Sequence, residues 1–180
     1  MNFSNLITGN IGLIHLIFSI VALITGTLVL VKKKGSKTHK KTGYVYVISM
    51  VGLIITAFML YNLFGKFGIF HWLAVVSTLT LAGGMLPILS KKPADGYMTL
   101  HWNFMYWSVM GLYAAFVSET IVRIPQVVVE NNIPNHVFYS MTGIGTGVVM
   151  FVALIIFFIK KKHWQQFEKG EHSASKPSLK

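Results

Sequence analysis

The residues that could do chemistry in this chain are few. Seven histidines, five acids and one arginine are scattered along a chain dominated by long apolar runs, and there is no cysteine. The stretch from Met98 to Arg123 concentrates them: it holds His101, Asn103, Ser108, Glu119 and Arg123 in a segment long enough to cross a bilayer. Glu119 is the only acid inside an apolar segment, and Arg123 is the only arginine. Four residues apart, they stack on one helix face. The eighteen residues from His101 to Glu119 make about five whole turns. One face therefore reads His101, Ser108, Ala115, Glu119, with Arg123 slightly rotated. Lipid disfavours such a face, so it is expected to point into a helix bundle.

Imidazoles at helix edges and interiors raise three kinds of chemistry. One is b-type haem ligation, which needs two histidines at matched depth. Another is a metal ion or a quinone headgroup held by imidazole and carboxylate. The last is proton relay. The candidate haem or metal ligands are His15, His39, His71 and His101, and Glu119 with Arg123 forms a candidate buried charge pair. His39 and His101 fall near one face of the membrane, and both stand at helix starts. His15 and His71 fall in the other half. His15 lies about 13 Å into its span and His71 about 3 Å, so this second pair is poorly matched in depth. A single hydrogen bond to a neighbouring Ser or Thr would equally satisfy His15. Glu119 is the only acid within a span, so paired-carboxylate chemistry is excluded. No nucleophile elbow, phosphate loop or HExxH pattern is present. The lack of cysteine excludes disulfides, thiolate zinc, iron–sulfur clusters and covalent haem attachment.

The elements that must position these residues follow from composition. Of 180 residues, 53% are hydrophobic and only 12% charged, and mean hydropathy is +0.60. Apolar residues come in runs near the ~20 that a hydrocarbon core demands. Five runs qualify: about 6–31, 43–63, 69–89, 98–123 and 136–159. Backbone polar groups in lipid must be satisfied within the segment, so all five are expected to be helices. The fold class is all-α, an integral membrane bundle of five transmembrane helices. Residues 1–160 form the membrane domain and 161–180 a polar, disordered cytoplasmic tail. The N-terminus lacks the basic start of a signal peptide, so the first run is read as a retained span.

Six lysines fall between the first two runs, two after the third and six after the fifth, against Lys66 and Arg123 on the other side. This asymmetry predicts N-terminus outside and C-terminus inside, in a bacterial inner membrane. The net charge of +11 is accordingly read as topology and attraction to anionic lipid headgroups rather than nucleic acid.

Small and polar residues predict the packing faces. These are His15, Ser19, Ala22 and Gly26 in the first run, and Gly43, Tyr46 and Met50 in the second. The third has His71, Ala74, Thr78 and Ala82, and the fifth Gly143 and Gly147. The fifth has no ionisable residue in its interior, so it is expected to lie outside a core of the first four. In an up-down arrangement, spans one and three are diagonal, as are two and four.

The stretch His39-Lys40-Lys41-Thr42-Gly43-Tyr44-Val45-Tyr46, the pair His101 and Met105, and Ala114-Ala115 through Glu119 to Arg123 carry a resemblance. Together they resemble DUF2306, a family of predicted bacterial membrane proteins of unknown function. The resemblance covers roughly residues 9–123 and implies His39, His101, Glu119 and Arg123 as family-pattern positions. It implies no activity. Two functional readings follow from the residues. One is a redox component binding haem b or quinone through intramembrane histidines. The other is a non-enzymatic proton-linked carrier, sensor or assembly factor using the His/Glu/Arg stripe, with a membrane-protein partner or a second copy of itself.

Overall fold

The computed structural model describes residues 9–60, 67–93, 96–129 and 135–174, with side chains described throughout except at 9, 122–129, 135, 138 and 162–174. These residues form five α-helices and no strand: α1 Gly9–Val31, α2 Lys37–Met59, α3 Ile69–Ser90, α4 Tyr97–Val129 and α5 Asn135–Ala174. Four of them, α1, α2, α3 and the part of α5 from Tyr139 to Lys161, are long and apolar enough to cross a membrane. Apolar side chains such as Ile24, Ile48, Leu79 and Phe151 lie exposed on their outer surfaces, as lipid-facing residues do.

The central helix is α4. It packs against α3, α5 and, more lightly, α1, while α2 packs against α1 and α3. The first four helices thus close a ring in which α2 and α4 lie across the diagonal. The fifth packs against α4. Being enclosed on several sides, α4 needs less lipid-compatible surface. Met105, Tyr106, Ser108, Val109, Leu112, Ala114 and Ser118 are all buried along it.

Helix boundaries differ from the sequence expectation at two points that matter. The second helix starts at Lys37 rather than near Gly43, because the Ser36 side chain caps it by accepting from the His39 backbone N–H at 3.1 Å. Ser at an N-cap satisfies one of the orphan amides of the first turn. Lys37, Lys40 and Lys41 therefore belong to the helix and not to a loop. The fourth helix does not stop at Arg123 but continues through Pro125 to Val129; residues 130–134, expected to be loop, lie outside the described residues. The fifth helix is described as far as Ala174, so its axis extends beyond the apolar stretch.

Close approach between helices is set by glycine. An added methyl at Gly52 would meet the Phe18 ring at 2.6 Å, and one at Gly84 would meet Met105 Sδ at 2.6 Å. The expected face of α3 is corrected accordingly. His71, Ala74, Leu81 and Gly84 are buried, whereas Thr78 is exposed and Ala82 only half-buried. The i, i+3 steps that bring His71 to Ala74 and Leu81 to Gly84 select a neighbouring stripe. On α5 the packing glycine is Gly145, where an added methyl would lie 3.3 Å from Ser118 Oγ, while methyls added at Gly143 and Gly147 would meet nothing within 4 Å. Polar latches reinforce the α4–α5 seam: Tyr106 O–H donates to the Ala153 carbonyl at 2.6 Å, and Ser118 Oγ lies 2.8 Å from Thr146 Oγ1.

Candidate functional site at the lysine-rich end

The core of the ring contains one direct bridge across its diagonal. Tyr46 on α2 and Ser108 on α4, each almost fully buried, hydrogen-bond at 2.8 Å. Gly26 on α1 makes room for the ring, since a methyl there would lie 2.9 Å from Tyr46 Cε2. His39 precedes Tyr46 by seven residues, and His101 precedes Ser108 by seven. Seven residues are two turns on the same face, about 10.5 Å of rise. The bridge therefore sets His39 and His101 at one level on facing stripes of diagonal helices. We expect Tyr46→Phe, which strands the buried Ser108 hydroxyl, to lower stability by about 1 kcal/mol, read as an earlier thermal transition in detergent.

The two imidazoles are held differently. His101 Nδ1 lies 2.7 Å from the Gly84 carbonyl of α3. A carbonyl only accepts, so Nδ1 carries the proton and the neutral ring keeps its lone pair on Nε2. The contact exists because Gly83 and Gly84 let α4 come close: added methyls would lie 2.8 Å from the Phe104 ring and 2.6 Å from Met105 Sδ. The His39 ring stands near the Val29 carbonyl of α1, which accepts from the Lys34 ammonium. The Nδ1 of His39 is buried with no hydrogen-bond partner among the described residues. The two rings are electrostatic neighbours, and the Lys34 ammonium is a neighbour of both.

Lys34 follows the end of α1. Its ammonium donates to the Val29 and Leu30 carbonyls at 3.0 and 3.2 Å, a favourable place for a cation at a helix C-terminus. Burial, and secondarily the nearby Lys160 of α5, push its pKa down from 10.5 to about 8. The folded protein then binds fewer protons than the unfolded chain between pH 8 and 10.5, so this group makes stability rise as pH climbs through that window and disfavours folding fully below it. A ¹³C-dimethylated sample in neutral detergent is expected to show a Lys34 signal titrating near pH 8, assigned by its loss in Lys34→Arg.

The opposite end is organised differently. His15 Nδ1 lies 2.9 Å from Thr56 Oγ1, and that hydroxyl donates to the Gly52 carbonyl at 2.8 Å. Thr56 therefore accepts, and His15 Nδ1 donates. His71 receives the Gly68 backbone N–H on its Nδ1 at 3.1 Å, capping the start of α3, and packs against Phe67 and Phe58 at ring distances of 4.8 and 6.5 Å. Its Nδ1 lone pair is committed to the cap, so Nε2 carries the ring proton. Glu119 is half-buried on α4; the Arg123 side chain lies outside the described residues. Thr27 Oγ1 and Tyr113 OH tie α1 to α4 in a short hydrogen bond.

The structure thus brings His39 and His101 together. It sets His15 beside Thr56 and places His71 in a helix cap. Among the described residues, no three His, Cys, Asp or Glu side chains converge as a metal site. Ser108 stood on the expected face of His101 and Tyr46 on the expected packing face of the second run, but their bond to each other was not foreseen; Lys34 was missed, hidden among five other lysines of the same loop.

Comparison with known proteins adds the family. The model of DUF2306, described as a predicted membrane protein, matches residues 12–159. The chain belongs to the DUF2306 family. The match runs past Arg123 and takes in most of the apolar part of α5, so this DUF2306 protein carries the fifth helix within its family region, which residues 9–123 alone did not include. No curated protein and no solved structure matches it.

Proposed function

We propose that this DUF2306 protein is a membrane redox component that holds a b-type haem between His39 and His101, with the lysine-rich end in the cytoplasm. The observation that carries the reading is the pair itself. Two imidazoles stand at one level on diagonal helices: His101 is pinned through Nδ1 to the Gly84 carbonyl of α3 and keeps its lone pair on Nε2, and His39 has a buried Nδ1 with no described hydrogen-bond partner. Hydrogen bonding of the non-ligating nitrogen to a backbone carbonyl is how proteins orient ligand histidines and fix their tautomer. A bare metal ion asks the protein for three or more ligands, whereas haem brings four nitrogens of its own and needs only two. The donor set fits haem better than an ion.

When bound, such a group supplies one-electron chemistry. The residues of the chain supply the rest. The Gly84 carbonyl holds the His101 ring in place and raises its basicity. The Tyr46–Ser108 bridge closes the site toward the bilayer centre. Lys34 provides positive charge at the rim, where carboxylates of the group would lie. The lysine asymmetry supports the orientation.

The test is the absorption spectrum of protein purified in detergent from haem-replete cells, oxidised and dithionite-reduced. We expect a Soret band and a sharp reduced α-band. A colourless preparation sinks the reading.

A further inference from the structure

The seam between α1 and α4 carries two hydroxyls at the lipid surface. Thr27 is exposed on α1, Tyr113 is half-buried on α4, and the two are hydrogen-bonded to each other. Around them the same helices expose apolar side chains, Ile24, Leu28 and Phe116. Helix α4 packs on α1 more lightly than on α3 or α5, and the exposed Thr27 opens this seam to the bilayer.

The hydrogen bonds here run in one direction. A threonine hydroxyl has a single proton, and that of Thr27 goes to the Leu23 carbonyl at 2.7 Å. Thr27 Oγ1 therefore accepts, and the Tyr113 phenol donates. With its proton committed, the phenol keeps only acceptor capacity, and among the described residues no group donates to it. A hydroxyl that donates is polarised into a better acceptor. In hydrocarbon no water competes for that oxygen, so it selects a partner that bears an O–H and dissolves in the bilayer.

The pair also stands at a useful level. Thr27 follows Gly26, where an added methyl would lie 2.9 Å from Tyr46 Cε2 and 3.3 Å from Val109 Cγ1. Val109 is eight residues beyond His101, or about 12 Å of rise, and side chains on a helix lean toward its N-terminus, which brings the Tyr113 hydroxyl back toward Val109. The two hydroxyls thus lie beside the Tyr46–Ser108 bridge, with His39 and His101 two turns away toward the lysine-rich end.

We propose that Tyr113 and Thr27 form a binding site for a membrane-dissolved quinol, whose ring hydroxyl donates to the Tyr113 oxygen while its apolar tail leaves along the α1–α4 seam. The choice of a quinol among bilayer-dissolved alcohols rests on the redox reading above; the acceptor itself does not.

The experiment uses the full chain in neutral detergent under anaerobic conditions. Native mass spectrometry measures binding of decylubiquinol, decylubiquinone and the redox-inert alcohol dioctanoylglycerol to wild type, Tyr113→Phe, Thr27→Val and, as a control phenol exposed elsewhere on α2, Tyr44→Phe. Wild type and Tyr44→Phe are expected to prefer decylubiquinol over both other probes. Tyr113→Phe loses about fivefold in quinol affinity, the worth of one neutral hydrogen bond. Thr27→Val removes the acceptor of the phenol proton, which is then free to donate, so the preference turns toward decylubiquinone. Equal binding of the three probes by wild type overturns the proposal, as does wild-type quinol affinity in Tyr113→Phe. Should that variant fail to fold, Thr27→Val keeps the phenol in place, and an unreversed preference there overturns it instead. Absorption spectra of the same samples report haem separately: a colourless protein that binds quinol in this pattern sinks the haem reading and keeps the quinol site.

Discussion

Replacing His101 by Ala is expected to remove the reduced α-band and to lower haem content by roughly tenfold or more, since a 1.4 kcal/mol loss already gives that factor and an axial bond is worth more. His39→Ala should behave alike, because each imidazole fills one side of the same group. The informative comparison is with the opposite end. His15→Ala and His71→Ala remove a hydrogen bond to Thr56 and a helix cap respectively. They should lower thermal stability by about 1 kcal/mol each while leaving the spectrum of folded protein intact. Equal spectral loss in all four variants would show that misfolding, and not ligation, is being read. An unchanged α-band in both His39→Ala and His101→Ala would remove this pair from consideration.

Gly84→Val should be the most damaging single change in the bundle that touches no ligand. The added side chain enters space held by Met105, whose Sδ and Cγ lie 2.6 and 2.9 Å from the position of the first new carbon, with the Met105 backbone nitrogen at 3.2 Å. Methionine can yield, but a backbone atom cannot, so α3 and α4 must move apart. Overpacking of this kind costs about 1–3 kcal/mol. The same movement pulls the Gly84 carbonyl away from His101 Nδ1, now 2.7 Å distant. Losing such an outer partner typically weakens metal affinity about 10–100-fold. Gly52→Ala provides the matched control. It collides with the Phe18 ring at 2.6 Å but lies on the α1–α2 contact, seventeen residues short of Ile69 and remote from the Gly84 carbonyl. A thermal shift in both variants, with haem affinity reduced only in Gly84→Val, would separate packing from positioning.

Much of the fold was legible because lipid imposes a simple requirement on sequence. Runs of about twenty apolar residues had to be helices, short connections had to make them antiparallel, and a span free of interior charge was free to sit outside the ring, as α5 does. The site was legible only in outline. His39 falls just ahead of the apolar run that begins near Gly43, among lysines that look like a solvated turn. The cap from Ser36 was the overlooked cue, since a serine three residues before His39 accepts its amide. The depth mismatch between His15 and His71 did foretell that they would not pair alike, and the structure gives each its own local partner. Which backbone carbonyl anchors an imidazole depends on the close approach of α3 to α4, and spacing along one helix carries no information about that. The stripe on α4 was displaced for the same reason. A helix packed against three neighbours buries more than one face, so Ser118 turns to α5 while Ser108 turns to α2.

The anchoring carbonyl has a consequence for how the protein is made. Gly84 belongs to α3 and the imidazole it holds to α4, while His39 stands on α2 and its level is set by the Tyr46–Ser108 bridge. No hairpin of two neighbouring helices contains the complete arrangement. As the chain emerges and inserts, α2 carries its ring alone, and only the arrival of α4 beside α3 supplies the other. On the haem reading proposed above, capture of the cofactor would be a late event in biogenesis, after the ring of four has closed.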